Sequence, residues 1–591
     1  MEVKNKLSKL RELMKENNLD GYYINGTDPH SSEYVCPRWK TRAFISDFTG
    51  SAGTALITNN KAYLWVDSRY FIQADEQTKD NEFIIMKMDI DNTPTVKEFI
   101  NSNFKEGSRI GFSKDTLMIN EKKDFEKDCK NVEIVVTNDL LNNIWENRAS
   151  IPETKVVEMD VSLTGFSRGQ KLNMIRIYLG EKKADYAFFA SLDDIAWTLN
   201  LRGNDIEHTP VFLSYLLVTK EKAYLFTSEK RFEKEILENV KKDVEVYPYE
   251  SVVSKLEEIL ESEKTLLINE KNTNSLFEEV ILSKKLNVID ELEVTTRLKA
   301  CKNDTELEGM RRAHLLDGVA MVNFLASLDF EKGEYSEIQL TQILKDFRLK
   351  NKECIDLSFN TISGFKENGA LCHYSVSEES SKEVKPNGLL VLDSGGCYES
   401  GTTDITRTLL FGEATEEEIR DYTLVLKGHI ALALQSFPKG TKGHQLDILA
   451  RQFLWNYGLT YFHGTGHGVG HRLSVHEGPQ RISTVVNDYP LQKGMILSDE
   501  PGLYKEGRHG IRIENLVAVQ NDVETEFGQF LNFEILTLCP YERKLIDVSL
   551  LTEKEFDYIN SYHSWVYNEL KDLVDEQALS YLKRATLPLE K

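Results

Sequence analysis

The sequence predicts an α/β chain, α+β in its arrangement, with two related N-terminal α/β domains followed by a larger C-terminal domain that carries the chemistry. Three observations predict this. A helix–strand–hairpin pattern occurs twice in the first half of the chain, the texture changes after about residue 306, and the informative clusters of acids and histidines all lie between 354 and 520. A chain of 591 residues also exceeds what one hydrophobic core usually serves.

The chain opens on a helix. In "MEVKNKLSKLRELMKENNL", Leu7, Leu10 and Met14 fall on one helical face, and charges interrupt the stretch too often for a signal-peptide core. A strand, "LDGYYI" (19–24), and a hairpin, "LITNNKAYLW" (56–65), follow. The same order returns in "ADYAFF" (184–189) and "LVTKEKAYLF" (217–226), at offsets of 165 and 161. Short hairpins can resemble one another by chance, but here element order and spacing both repeat, which favours duplication. "NRASIPETK" reads as a linker in which Pro152 discourages helix. Asn303 or Asp304 can cap a long helix whose apolar face includes Leu315, Val319 and Val322. The expected domains are 1–150, 151–306 and 307–591. Within the third, one helix is expected over about 415–437, stopping before Pro438, and another over about 444–457, ending at Gly458. The tail from 545 reads as helical, aromatic and acidic. Its stretch "FDYINSYHSWVYNEL" either packs on its own domain or joins an interface.

Composition removes several function classes. A hydrophobic fraction of 41% and a charged fraction of 28% describe an ordinary globular protein. The net charge of −23 argues against a nucleic-acid partner and against a polybasic membrane contact. No apolar run approaches the ~18 residues that a membrane span needs. Seven cysteines, scattered singly without a CxxC pair, oppose both a disulfide framework and a thiolate zinc site and suit a reducing, cytoplasmic setting.

The chemistry starts with "GLLVLDSGGCY" (388–398) and "GTTDITRTLLF" (401–411), two strands that carry Asp393 and Asp404. Joined by a turn, they could bring both acids to one face. Carboxylates ~4 Å apart at an effective dielectric of ~20 repel by roughly 4 kcal/mol, so a positive partner is required unless the acids are merely exposed turn residues. "YFHGTGHGVGHRLSVHEGP" (461–479) adds His463, His467, His471 and His476. Glycines around His467 leave its imidazole accessible to a metal, whereas His471 reads as an ordinary loop histidine. "GMILSDEPGLY" (494–504) ends an apolar strand at Asp499 and Glu500. In "GIRIENLVAV" (510–519), Arg512 and Glu514 share one face of a predicted strand, and a plain ion pair at a strand edge remains an alternative. Four carboxylates and one imidazole suit divalent cations, two of which would neutralise the charge, activate a water and polarise a carbonyl.

These residues resemble aminopeptidase P, the X-prolyl aminopeptidases, in their three-domain cytosolic form. The match is chain-long: "FTGSAGTALIT" and "VDSRYFIQA" in the first domain, "LDDIAWTLNLRGNDIEHTPVF" in the second, and "HGTGHGVG", "VHEGP", "DEPGLY", "IRIEN" and "CPYERKLID" in the third. The resemblance implies a pita-bread metallopeptidase fold for the last domain and release of an N-terminal residue that precedes proline, by a hydroxide bridging two divalent metals. It implies Asp393 as a terminal ligand of one metal, His467 and Glu500 on the second, and Asp404 and Glu514 as bridges. It places His373, from "GALCHYSV", beside the scissile bond, His476 at the tetrahedral intermediate, His463 in a proline pocket, and Arg512 behind a ligand carboxylate. It makes His373 and Glu500 the candidates for proton handling, with the division between them left open. The resemblance further implies manganese, with zinc as an alternative, and a homodimer. Prolidase, with the same ligands but restricted to Xaa-Pro dipeptides, is the nearest competing reading. A non-catalytic pita-bread module that binds peptides or proteins is a further one.

Overall fold

The structure is a computed structural model that describes residues 1–591, the side chain of residue 72 excepted. The chain divides into two compact units, Met1–Met159 with Phe166–Thr295, and Asp160–Gly165 with Thr296–Lys591. The first unit holds two six-stranded sheets of identical plan. In one, Gly21–Ile24 is antiparallel to Thr54–Thr58 and parallel to Ser108–Ser113. In the other, Tyr186–Phe189 is antiparallel to Tyr215–Thr219 and parallel to Thr265–Ile268. Each hairpin then pairs its second strand in parallel with an edge strand, Phe83–Lys87 or Glu245–Tyr247. The repeat seen in sequence is thus a repeat of topology. Ahead of the first sheet runs the helix Val3–Glu16, whose Leu7, Leu10 and Met14 are completely buried, each stabilising the core by about 2 kcal/mol.

In the second unit the long helix Asp304–Ala326 is capped by Asn303, whose side chain accepts from the Thr305 and Glu306 amides while Glu306 reaches back to the Asn303 amide. Two strand systems follow. Ile362–Phe365, Asn387–Ser394 and Ile405–Gly412 form one sheet; the short strand Gly466–Gly468 with Glu477–Ile482, Ile496–Asp499, Asn515–Thr525 and Gly528–Ile535 belongs to another. Asn387–Ser394 is buried on both faces, Leu389 against one core and Leu390 and Leu392 against another, which is why it reads as an unbroken apolar run. The helix Glu416–Ala433 ends four residues earlier than the sequence suggests, because Phe437–Pro438 leaves it to pair with Gly528–Ile535. Gly443–Trp455 likewise stops ahead of Gly458, which takes a φ of +68°. The aromatic tail packs on its own unit: in the helix Glu553–Leu570, Ile559, Tyr562, His563, Val566 and Leu570 are buried. Among the described residues no helix is long and apolar enough to cross a membrane.

Candidate metal centre and active site

Asp393 is the penultimate residue of Asn387–Ser394, and Asp404 immediately precedes Ile405–Gly412. The two strands are antiparallel, with Asp393 opposite Thr406. A simple turn was expected between them; instead a small hairpin, Gly396–Tyr398 with Gly401–Thr402, fills the connection and pairs with Cys354–Leu357. Asp393 and Asp404 are 8% and 4% exposed, so neither is a solvated turn acid.

The predicted strand 510–519 is interrupted. His509–Arg512 pairs with Gly502–Lys505, whereas Asn515–Thr525 joins the large sheet, and Glu514 sits at the crossover. There its amide donates to Thr406 O at 3.1 Å and its Oε2 accepts from Thr406 Oγ1 at 2.8 Å. Arg512 therefore does not pair with Glu514. Its Nη2 donates to Asp393 Oδ2 at 2.6 Å, its Nη1 to Tyr504 OH at 2.6 Å and Cys372 O at 3.3 Å, and its Nε to Thr406 Oγ1 at 3.2 Å.

His467 lies on Gly466–Gly468, where a Cβ on Gly466 would collide with Ser498 O; only glycine lets this strand approach Ile496–Asp499 so closely. Its amide donates to Ser498 Oγ at 3.0 Å, and that hydroxyl donates to Glu500 Oε1 at 3.0 Å. Nδ1 faces Gly468 O at 2.9 Å, which puts the ring hydrogen there and turns Nε2 toward Glu500 Oε1 at 3.4 Å and Asp404 Oδ2 at 3.5 Å. Ligand atoms of Asp404, His467 and Glu514 all fall within 4.8 Å of one another. Asp393 joins the cluster through Arg512, and its charge acts on Glu500 and Glu514.

Electrostatics show what the cluster lacks. Asp393 Oδ1, Asp404 Oδ1 and Glu514 Oε1 are buried with no hydrogen-bond partner among the described residues. Burial, with the Asp404 charge, pushes the Glu514 carboxyl well above the usual range. Burial raises Asp393 too, against the pull of Arg512, and takes Glu500 up to about 7. For His467 burial acts downward, but the Asp404 hydrogen bond and the Glu500 and Asp404 charges outweigh it and carry it up to about 9. An oxygen-rich set with one imidazole, whose carboxyls raise one another, is a donor chemistry that fits divalent metals.

Around the acids stand the other histidines. His476, just before Glu477–Ile482, sets its ring edge-on to His467 with centroids 4.3 Å apart. His463 Nδ1 faces Gly464 O at 2.7 Å, so Nε2 accepts from Tyr504 OH at 2.9 Å. Burial and the Arg512 charge hold His463 down to about 3, a neutral ring throughout the working range. His373 is half-buried on the loop after Lys366–Ala370, between two anchored neighbours: Arg512 holds Cys372 O, and Tyr374 OH is 2.9 Å from Glu337 Oε2. A Cβ on Gly510 would collide with Gly369 O, so glycine is what lets this loop's root lie against the Arg512 strand. His471 is buried and is not among the residues that gather at the cluster.

Sequence reasoning missed Tyr504, which ties His463 to Arg512, and Thr406, which ties Arg512 to Glu514. A signal for the second existed: in "DITRTLL", Thr406 and Thr408 recur at the strand period and share a face, and Thr408 Oγ1 donates to Arg512 O at 2.9 Å.

The chain is similar to known proteins along its whole length. Residues 308–521 match the model of metallopeptidase family M24 and 529–589 its C-terminal region; 6–144 and 147–306 each match a creatinase/prolidase N-terminal domain. The chain is 37% identical to Xaa-Pro aminopeptidase 1 of Dictyostelium discoideum, over 99% of this chain and 97% of that one. It is 40% identical to a probable Xaa-Pro aminopeptidase P of Sordaria macrospora, over 99% of both. The crystal structure of an X-prolyl aminopeptidase from Caenorhabditis elegans, described as a cytosolic enzyme with a di-nuclear active site, matches with a TM-score of 0.95 at 34% identity over 100% of both chains. Chain-long likeness and a matching catalytic fold lead to one conclusion: the chain belongs to the Xaa-Pro aminopeptidases of metallopeptidase family M24.

Proposed function

We propose that this protein is a metal-dependent aminopeptidase that releases the N-terminal residue from peptides with proline in second position. The observation that carries the reading is the gathering of ligand atoms of Asp404, His467 and Glu514 within 4.8 Å of one another, with Glu500 Oε1 3.4 Å from His467 Nε2, Asp393 held by Arg512, and buried oxygens of Asp393, Asp404 and Glu514 left without a hydrogen-bond partner among the described residues. Asp393, Asp404 and Glu514 would hold one divalent cation, and Asp404, Glu514, His467 and Glu500 the other, with Asp404 and Glu514 shared. When bound, such a pair lowers the pKa of a water toward neutrality and polarises the scissile carbonyl. Manganese is the proposed metal and zinc its alternative, since oxygen ligands with one imidazole accept either.

The chain's own residues divide the remaining work. Arg512 and Thr406 fix the Asp393 and Glu514 carboxylates. Glu500 and His373 would exchange protons with the attacking water and the leaving proline nitrogen. His476, whose ring lies edge-on to His467, would donate to the developing oxyanion. His463, neutral and held by Tyr504, offers a flat uncharged wall for the proline ring. A proline nitrogen has no hydrogen to donate, so recognition of the ring replaces recognition of the amide.

A proline-second tetrapeptide and an Xaa-Pro dipeptide, each assayed with manganese, test the substrate class. Cleavage of the tetrapeptide is expected; turnover of the dipeptide alone would make the protein a prolidase. Proton linkage supplies a second expectation. Glu500 at about 7 and His467 at about 9 hold protons that a cation must displace. Apparent metal affinity should therefore rise with pH through that window and level off above it, with proton release visible as buffer-dependent binding heat. An affinity that stays flat from pH 6 to pH 9 would contradict the ligand set.

The expected division near residues 150 and 306 belongs to the same reading, as do a cytoplasmic location and a homodimer. Exposed Trp455, Tyr457 and Phe462, at 50%, 51% and 88%, provide apolar surface for a second copy.

A further inference from the structure

Behind Glu500 and Glu514 lies a buried polar chain that none of the roles above uses. Their neighbours Asp499 and Asn515 are opposite one another in the sheet. His429, fully buried on the helix Glu416–Ala433, points Nδ1 at both Asp499 O and Asp499 Oδ2, each at 3.1 Å. Two acceptors on that side put the ring hydrogen on Nδ1, so Nε2 accepts from Tyr541 OH at 3.0 Å. The same hydroxyl accepts from Asn515 Nδ2 at 3.0 Å. Asn515 Oδ1 in turn accepts from Arg407 Nη2 at 2.8 Å, and Arg407 Nη1 donates to Glu514 O at 2.6 Å. From Arg407 to Asp499 each link pairs a donor with an acceptor, and each end is the backbone or neighbour of a carboxylate at the site.

Tyr541 stands at the centre, and it comes from the segment that follows the catalytic sheet. Its amide donates to His563 Nε2 at 3.1 Å, and Tyr562 OH holds Thr537 O at 2.8 Å and Cys539 O at 3.0 Å. Both partners lie on the helix Glu553–Leu570. The tail is therefore connected to two strand ends whose spacing decides whether Glu500 and Glu514 can close on the same cations.

We propose that His429 and Tyr541 are positioning residues for the metal centre, setting the separation of Glu500 from Glu514 through Asp499 and Asn515, and that the C-terminal segment is by this route part of the cation-binding apparatus. The inference rests on the metal centre of the functional reading and deepens it. Without the Tyr541 hydroxyl, His429 Nε2 and Asn515 Nδ2 both lose that partner, and the two strand ends keep their sheet pairing but lose the side-chain bridge that adds to it.

The test is calorimetric titration of metal-stripped, full-length protein with manganese chloride. Tyr541→Phe and His429→Gln are expected to raise the Kd by about 10- to 100-fold, the range typical of lost outer-shell support. KM for a proline-second peptide at saturating manganese should stay within about twofold of the parent, since neither side chain faces the substrate, while kcat falls. Tyr422→Phe is the structural control: Tyr422 is equally buried on the same helix as His429, and its hydroxyl accepts the Glu542 amide at 3.0 Å. It should lower the melting temperature and leave the manganese Kd within about twofold. A Tyr541→Phe protein that binds manganese as the parent does, or a Tyr422→Phe protein that loses as much affinity, overturns the proposal. Should Tyr541→Phe not fold, His429→Gln carries the same expectation and the same contradiction. Failure of the functional reading is separate: the parent would then leave proline-second peptides intact while the variants still lost manganese affinity.

Discussion

Asp404→Asn is expected to lower kcat/KM for a proline-second peptide by at least about 10³-fold, roughly 4 kcal/mol of transition-state stabilisation. Asparagine keeps the shape and one acceptor oxygen, so His467 Nε2 retains a neighbour. It removes the charge that a shared cation would require at the carboxylate gathered with both His467 and Glu514. Because the side chain is 4% exposed, water does not restore a missing ligand easily. A cation stabilises the parent by mass action, by about 2.7 kcal/mol when present at a hundredfold excess over its Kd. The thermal shift on adding manganese should accordingly shrink in Asp404→Asn. A variant with parental activity and a parental thermal shift would remove Asp404 from the metal centre.

Arg512 carries the second large effect. Arg512→Ala leaves Asp393 buried without its ion-pair partner, a loss that costs about 3–5 kcal/mol in comparable buried pairs. Cations bound at the site would take up part of that charge, so destabilisation should be largest in the metal-stripped protein. Activity should fall with it, because Tyr504, Thr406 and the Cys372 carbonyl lose the same guanidinium. Arg512→Lys is expected to recover only a fraction. An ammonium can reach Asp393, but it lacks the fork that spans four acceptors around it. Melting temperatures with and without manganese, together with kcat for both variants, check this. Equal behaviour of the lysine variant and the parent would show that charge alone suffices.

How much of this was legible in the sequence depends on the range of the contact. Asp393 stood out because it interrupts an apolar run buried on both faces, and the repeat in the first unit stood out because topology and spacing recur together. Local rules also located the Asn303 cap. The hairpin between Asp393 and Asp404 did not show, because Gly396–Tyr398 is held by Cys354–Leu357, some forty residues earlier in the chain. Nor did the break at Ile513 and Glu514: alternation runs smoothly through "IRIENLV", and only pairing with two different sheets separates its halves. For Arg512 the sequence left a pair with Glu514 open, and which acid it meets is a tertiary fact, decided by Asp393 arriving from a strand about 120 residues upstream. His429 and Tyr541 gave no local signal at all, since a single histidine on an apolar helix and a single tyrosine in a loop are ordinary core residues until their partners are known.

The central claim is that two cations held by these five side chains carry out the hydrolysis. Metal-stripped protein should be titrated with manganese while bound metal and cleavage of a proline-second peptide are followed in the same samples. Activity is expected to be absent at the start, to return as manganese is taken up, and to reach its plateau as occupancy approaches two ions per chain. Full cleavage by protein holding far less than one cation per chain, or a binding plateau with no activity, would contradict it.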